Sequence, residues 1–319
     1  MKSSVPPNTF TSISTNAILL ALLFMVALFG SCTRKPPKSQ INPNTYAKEI
    51  EQWHQERWKE LNNESGWLTV IGLFWLKEGE NKFGSDPDND IILPKEKVAG
   101  HAGTLSLHNG FVRIDATQDG MTVDDKPIKS LDLKSDADAD DQPTIVRLAS
   151  VSFQIIKRGD KLGLRVKDSQ NPDRVNFKET EFYPADLKWR LDAQFEPYNP
   201  PKAMPITNVL GMENSESSPG AVKFEVNGKE YRLDAITEKD EPRLFMIIAD
   251  TTSGKDSYPA GRYLYVDPPD ASGHMIIDFN KAYSPPCAFT KFATCPLPPR
   301  QNRLPFAIEA GEKYRPHRS

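Results

Sequence analysis

The sequence predicts a mainly β protein: an N-terminal helix, then a β-sandwich, then a second β unit that ends in a proline-rich loop. Short apolar runs with strand alternation recur from Gly66 onward, punctuated by turn pairs such as Asn109-Gly110, Gly159-Asp160 and Asn227-Gly228. No helical-period segments alternate with these runs, which favours a sandwich or barrel over a parallel βαβ sheet. The 319 residues correspond to one or two domains, and 38% hydrophobic with 26% charged residues is enough for a packed core. A net charge of −3 leaves no basic surplus to neutralise phosphates, so nucleic acid is not an expected partner.

Residues 1–32 read as a lipoprotein signal peptide. Lys2 supplies a positive charge, Ala17 to Phe29 is an unbroken apolar run, and Gly30-Ser31-Cys32 follows. The run is short for a bilayer span and suits a signal-peptide core. Small residues before a cysteine are the pattern of a bacterial lipoprotein processing site, with Cys32 as the lipidated residue, although Phe29 stands where Leu or Val is usual. An ordinary cleaved signal and a membrane anchor are the alternatives. Residues 33–45 are polar and proline-containing, a tether. Arg34 and Lys35 follow Cys32 with no acidic run, so the expected location is the cell envelope, lipid-anchored and facing the periplasm.

Tyr46 to Leu61 predicts a helix, with Tyr46, Ile50, Trp53 and Leu61 on one face and Trp58 at its edge. Arg57 falls on the same face and either snorkels to water or pairs with a carboxylate. Residues 46–170 are expected to form this helix plus a sandwich, including the Asn109-Gly110 hairpin as a type I′ turn. Asp136 to Asp141 is an acidic loop that reads as a solvated charge run; it lacks the glycine and terminal glutamate of a calcium loop. Residues 171–319 are expected to form the second β unit, which carries the candidate site.

That site is read from the last quarter of the chain, where six prolines run from Pro285 to Pro305 among polar residues. Proline fixes φ, so such a loop holds one shape at low entropic cost, and stiff polar loops are where sites tend to lie. The candidate ligand-binding residues are Arg262, Asp278, Asn280, Tyr283, Asn302 and Glu309. Arg262 is expected to pair with Asp278, because Gly261 can make the turn from which Arg262 opens a strand. Two readings stay open: a ligand-binding or envelope-maintenance module for a small anionic or polymeric ligand, or a hydrolase using Asp278 and Glu309 with Arg262 as an anion clamp. The same residues also suit a purely structural role, tying irregular backbone together. Cys287 and Cys295 form a disulfide, a free thiol pair, or a metal or catalytic site. No nucleotide loop, zinc-helix or nucleophile-elbow motif occurs, and the five histidines show no ligand spacing, so no cofactor and no metal are expected.

The strings TSGKDSYPAGRYLYVDPP, IDFNKAYSPPCAF, TCPLPPRQNRLPFAIEAGEK and GWLTVIGLFWLKEGENKFGSDPDNDIILP resemble the family known as domain of unknown function 1684. The likeness runs from about Trp53 to Lys313. It implies a fold and a site region, and no reaction. Residues 66–168 resemble a forkhead-associated β-sandwich, on the strings GENKFGSDPDNDIILP, VAGHAGTLSLHNG and VDDKPI. That family reads phosphothreonine with an Arg after the first motif's glycine and a Ser three places before the second motif's His. Here Ser85 follows Gly84 and Val98 precedes His101. The resemblance therefore implies the shape, leaves phosphopeptide binding in doubt, and makes His101 a structural residue.

Overall fold

The computed structural model describes Met1, residues 41–138 and residues 142–315; strands dominate it and one long helix precedes them. Cys32, the rest of the signal peptide after Met1, the tether up to residue 40 and residues 139–141 of the acidic run lie outside the described residues. Among the described residues, no helix is long and apolar enough to cross a membrane.

Helix α1 (Pro43–Leu61) buries Tyr46, Ile50, Arg57 and Leu61. Their spacing puts all four on one stripe of a 3.6-residue helix, close to the predicted face. The two polar members decide where that face docks. The Tyr46 hydroxyl lies 2.9 Å from both carboxylate oxygens of Asp278. Arg57 donates from Nε to Glu312 and from Nη2 to the Ser284 carbonyl, each at 2.9 Å. The helix, expected to go with the sandwich, is thus hydrogen-bonded to the C-terminal quarter. A buried phenol and guanidinium need buried acceptors, and that quarter supplies them.

The sandwich is built from β1 (Val70–Trp75), β2 (Gly79–Gly84), β3 (Ile91–Ile92), β4 (Gly103–His108), β5 (Phe111–Ala116), β6 (Thr122–Val123), β7 (Lys126–Pro127), β8 (Ser130–Leu133), β9 (Val146–Leu148), β10 (Val151–Arg158) and β11 (Lys161–Asp168). One sheet has the order β1-β11-β10-β9-β6-β7, the other β3-β2-β4-β5-β8. Between β4 and β5, Asn109 and Gly110 have φ of 51° and 84°, as the type I′ reading requires. Alternate residues such as Leu105, Ile114, Phe153, Ile155, Leu164 and Val166 fill the space between the sheets.

The second β unit contains β12 (Arg190–Thr207), β13 (Glu213–Val226), β14 (Lys229–Asp234), β15 (Ile236–Glu238), β16 (Glu241–Ile248), β17 (Arg262–Val266) and β18 (His274–Asp278). They form a four-stranded sheet, β14-β13-β12-β18, and a three-stranded one, β15-β16-β17. Period-two alternation in β16 and β17 divides their side chains between two cores. Leu244, Met246, Ile248, Leu264 and Val266 enter one, while Phe245, Ile247 and Tyr263 enter the other. The chain from Pro43 onward clusters as one unit, so the boundary expected near residue 171 divides cores within it.

Candidate functional site

The structure does not assemble the predicted constellation. Arg262 opens β17 as expected, yet it is 0% exposed and its carboxylate partner is Asp250, not Asp278. Nη2 donates to Asp250 Oδ2 at 2.7 Å and to the Ile308 carbonyl at 2.9 Å; Nη1 donates to the Ala310 carbonyl. Register explains the exchange: Arg262 pairs with Ile248 in the ladder, two residues before Asp250. Asp278 ends β18 in the other sheet and is taken by Tyr46 and by the Asn280 amide. Gly261, at φ 92°, is needed where it stands, since a Cβ there would lie 2.4 Å from the Ile248 carbonyl oxygen.

Asn280 and Asn302 act as peptide mimics. Asn280 receives the Asp186 N–H and donates to the Asp186 carbonyl, both at 3.0 Å. Asn302 receives the Asp234 N–H at 2.8 Å and donates to the carbonyls of Asp234 and Ile247. Glu309 is exposed. The carboxylates and cation of the hydrolase reading therefore do not converge: four of the six candidates hold irregular backbone in place.

Tyr283 is the candidate that lines a cleft. The cavity has a volume of about 700 Å³ and is walled by α1, the end of β10, strands β12, β13, β15, β16 and β17 and the proline-rich loop. Its aromatic wall follows from the register of β16 and β17, which sets Phe245 opposite Tyr265 and Ile247 opposite Tyr263. Phe245 meets Tyr263 edge-on at 5.0 Å and Tyr265 at 4.9 Å, and Tyr265 stacks with Tyr283 at 6.4 Å. Guanidinium groups lie over the rings: Arg57 is 4.4 Å from the Tyr283 centroid and Arg243 is 4.6 Å from that of Tyr265. Burial raises the pKa values of Tyr263, Tyr265 and Tyr283 well above the phenolic range, so their hydroxyls stay protonated donors. Tyr265 donates to Glu238, and Tyr263 donates to the Pro296 carbonyl at 3.1 Å.

The cations of the wall are mostly committed. Arg57 bonds Glu312 and Glu60, Arg158 bonds Asp136 at 2.8 Å, and Arg243 bonds Glu241 at 2.7 Å. Arg165 is not a lining residue of the cavity. It sits on β11 between Leu164 and Val166, so it points away from the sandwich core, and it is 5% exposed. Its guanidinium lies 4.8 Å from the centroid of Trp67, a cavity-lining ring, and Nε and Nη2 have no hydrogen-bond partner. Burial, then repulsion from Arg158, lowers its pKa to about 10.

Cys287 and Cys295 stand as free thiols, the first half-buried and the second buried against the cavity. The Cys287 N–H donates to Cys295 Sγ at 3.1 Å. A hydrogen bond from the Cys295 thiol holds Cys287 below the usual thiol range, and the same bond with burial pushes Cys295 up. His101 is exposed rather than packed, with Asp86 and Asp88 at 3.7 and 3.8 Å. Their ligand atoms lie within 4.8 Å of one another, a solvated cluster with nothing further to mark it as a cation site.

Sequence reasoning missed Trp67, Arg165, Phe245, Tyr265 and Arg243. A signal existed in RLFMII and RYLYV, where aromatic or charged residues occupy one face at every second place. Arg165 carried none, because a charge between apolar residues on a strand reads as a solvated face.

Residues 175–313 match the family model described as protein of unknown function (DUF1684), which covers the C-terminal strings of the resemblance and not the stretch from Trp53. No curated protein matches the chain. Among solved structures the chain is similar to the uncharacterized protein from gene locus rrnAC0354 of Haloarcula marismortui, at 29% identity over 44% of this chain and 78% of that one, TM-score 0.37. It is similar to the FhaA FHA domain complexed with the intracellular domain of Rv3910, at 18% identity over 30% and 97% of the chains, TM-score 0.21. A third similar structure, from work on phosphothreonine-dependent FHA domain interactions, gives 18% identity over 31% and 96%, TM-score 0.21.

Proposed function

We propose that the protein is a ligand-binding module of the cell envelope and that its ligand occupies the cavity walled by Phe245, Tyr263, Tyr265 and Tyr283. The observation that carries this reading is the aromatic wall itself. Phe245 and Tyr263 are buried members of a core cluster, Tyr265 and Tyr283 pack half-buried against it, and all four line a cleft of about 700 Å³. The volume is that of a small-molecule site, roughly 300–1,000 Å³, and the lining beside the rings is charged and polar, with Glu60, Glu238 and Glu241 alongside Arg57, Arg158 and Arg243. Arg57 and Arg243 stack on the rings, with Arg57 buried and paired to Glu312 and Arg243 paired to Glu241. The ligand expected is a small molecule with a flat or ring-shaped body and polar substituents. Binding is favoured over hydrolysis because Asp278 is bonded to Tyr46, Arg262 is sealed beneath the loop and Glu309 stands apart in solvent.

Thermal-shift screening of phenols, aromatic acids and monosaccharides against wild type and Tyr265→Ala tests the site. A ligand that stabilises wild type and fails to stabilise Tyr265→Ala supports it. Equal stabilisation of both moves the site elsewhere. The envelope part of the reading rests on Lys2, the apolar run 17–29 and Cys32. Radiolabelled palmitate should enter wild type and not Cys32→Ala; equal labelling would end the lipoprotein reading.

A further inference from the structure

We infer that the ligand of the cavity is an uncharged sugar, held by the side-chain amide of Asn208 and the hydroxyl of Tyr283. The inference rests on the cavity being a ligand site, and it names the class of molecule that the unfilled hydrogen-bonding groups of the wall select.

Asn208 lies at the turn between β12 and β13 and is 6% exposed. Its Oδ1 accepts the N–H groups of Leu210 at 2.9 Å and Met212 at 3.0 Å. The turn thereby fixes the amide: its oxygen faces the loop backbone, and the other terminus is the NH2 group. That nitrogen, Nδ2, donates to nothing among the described residues. Unlike Arg165 Nε and Nη2 it is not sealed from solvent, and the residue lines the cavity. Buried polar groups are nearly always bonded, so a donor left open in a cleft is a place for an acceptor that arrives with the ligand. Tyr283 repeats the pattern. It lines the cavity beneath Arg57, and its hydroxyl has no hydrogen-bond partner among the described residues and is likewise not sealed off. Tyr263 links the two groups. Asn208 pairs with Pro296, whose carbonyl accepts from the Tyr263 hydroxyl at 3.1 Å, and the Tyr263 and Tyr283 rings are 5.9 Å apart.

The charges of the wall favour a neutral ligand. Four basic and four acidic side chains line the cavity, and the two that make no ion pair among the described residues, Lys157 and Glu216, are one of each sign. Neither an anion nor a cation gains from the net charge of such a wall. Guanidinium groups already cover faces of Tyr283 and Tyr265 that a cationic ligand would seek. Open groups of each hydrogen-bonding kind remain: a donor on Asn208, an acceptor on the half-buried Glu216, and a hydroxyl of both kinds on Tyr283. A hydroxyl is an uncharged group that donates and accepts at one atom, so it can answer any of the three. A ring that carries several hydroxyls at its edge, with C–H bonds on its faces to pack on the negative faces of aromatic rings, is a sugar.

The probes are the neutral sugars glucose, galactose, mannose and N-acetylglucosamine, the cation glucosamine at mildly acidic pH, the anion glucuronate, and phenol. Each is titrated by ligand-observed NMR into the full chain as wild type, Asn208→Asp, Tyr283→Phe and Glu216→Gln. Asn208→Asp keeps the oxygen that holds the turn and removes the donor; Tyr283→Phe removes only a hydroxyl with no internal bond. Wild type should bind at least one neutral sugar more tightly than glucosamine or glucuronate. Asn208→Asp and Tyr283→Phe should each weaken that sugar by roughly three- to tenfold, the worth of a neutral hydrogen bond, and melt within about 2 °C of wild type. Glu216→Gln should improve glucuronate relative to glucose. Should Asn208→Asp fail to fold, Tyr283→Phe carries the same test. Tighter binding of glucosamine or glucuronate than of every neutral sugar overturns the inference, as does a neutral-sugar affinity unchanged in both variants. Phenol binding that Tyr265→Ala abolishes, with no sugar bound, overturns the sugar while the cavity stands. Failure of every probe to bind wild type brings down the cavity reading along with it.

Discussion

Replacing Arg262 by Ala should act on stability and leave the cavity alone. The Arg262–Asp250 pair is 2.7 Å long with both side chains fully buried. Asp250 would keep the N–H groups of Thr252 at 2.8 Å and Ile308 at 3.2 Å but lose its cation. Stranding a buried carboxylate costs about 3–5 kcal/mol. The carbonyls of Ile308 and Ala310 would lose donors, at about 1–3 kcal/mol each where water does not enter. The space vacated by a guanidinium admits water, which offsets part of this, so the expected loss is about 5 kcal/mol. At roughly 2–4 °C per kcal/mol for a domain of this size class, Tm should fall by about 10–20 °C. Arg262→Met combined with Asp250→Asn should recover more than half of the loss, since no charge is then left uncompensated. Thermal and guanidinium unfolding followed by circular dichroism reads all three proteins. A Tm for Arg262→Ala within about 2 °C of wild type would refute the argument. So would a variant that folds normally and loses cavity ligands, which would return Arg262 to the site.

Glu312→Ala removes the buried carboxylate of Arg57, where the two side chains are 0% and 5% exposed, and leaves it the exposed Glu60 and the Ser284 carbonyl, so the cost should be about 2–3 kcal/mol. A double-mutant cycle with Arg57→Met should show strong coupling; additive single costs would deny that this pair fastens the helix. Cys287 should alkylate with iodoacetamide faster than Cys295 near neutral pH, because its thiolate forms more readily and it is less buried; peptide mass mapping showing equal or reversed rates would contradict this. His54 stacks on Phe182 at 3.7 Å and burial lowers its pKa from the usual 6.5. Below about pH 6.5 the unfolded chain therefore takes up a proton that the folded protein does not, so stability should fall as pH drops through that window. His54→Phe should flatten the dependence, and an unchanged pH profile would count against it.

Local features were legible in the sequence because local physics sets them. The helix face of Tyr46, Ile50 and Leu61 follows from helical period, and the Asn109-Gly110 hairpin follows from the positive φ that a type I′ turn demands. Gly261 as a turn and Arg262 as the start of a strand were likewise readable in six residues. The partners of those residues were not. Asp250 and Asp278 are equally plausible acids for Arg262 by composition. The choice belongs to the ladder that sets Arg262 against Ile248, a pairing between strands that sequence proximity does not fix. The helix gave the same lesson, since its neighbours in sequence are the sandwich strands but the carboxylates that satisfy Tyr46 and Arg57 lie more than 200 residues away. The cavity was least legible of all. Its wall joins α1, the end of β10, two sheets and a proline-rich loop, and Arg165 reads as an ordinary solvated strand residue until Trp67 is folded over it. Periodicity determines which side of an element is apolar; only tertiary packing determines which apolar and polar sides meet, and hence which charge is left without a partner.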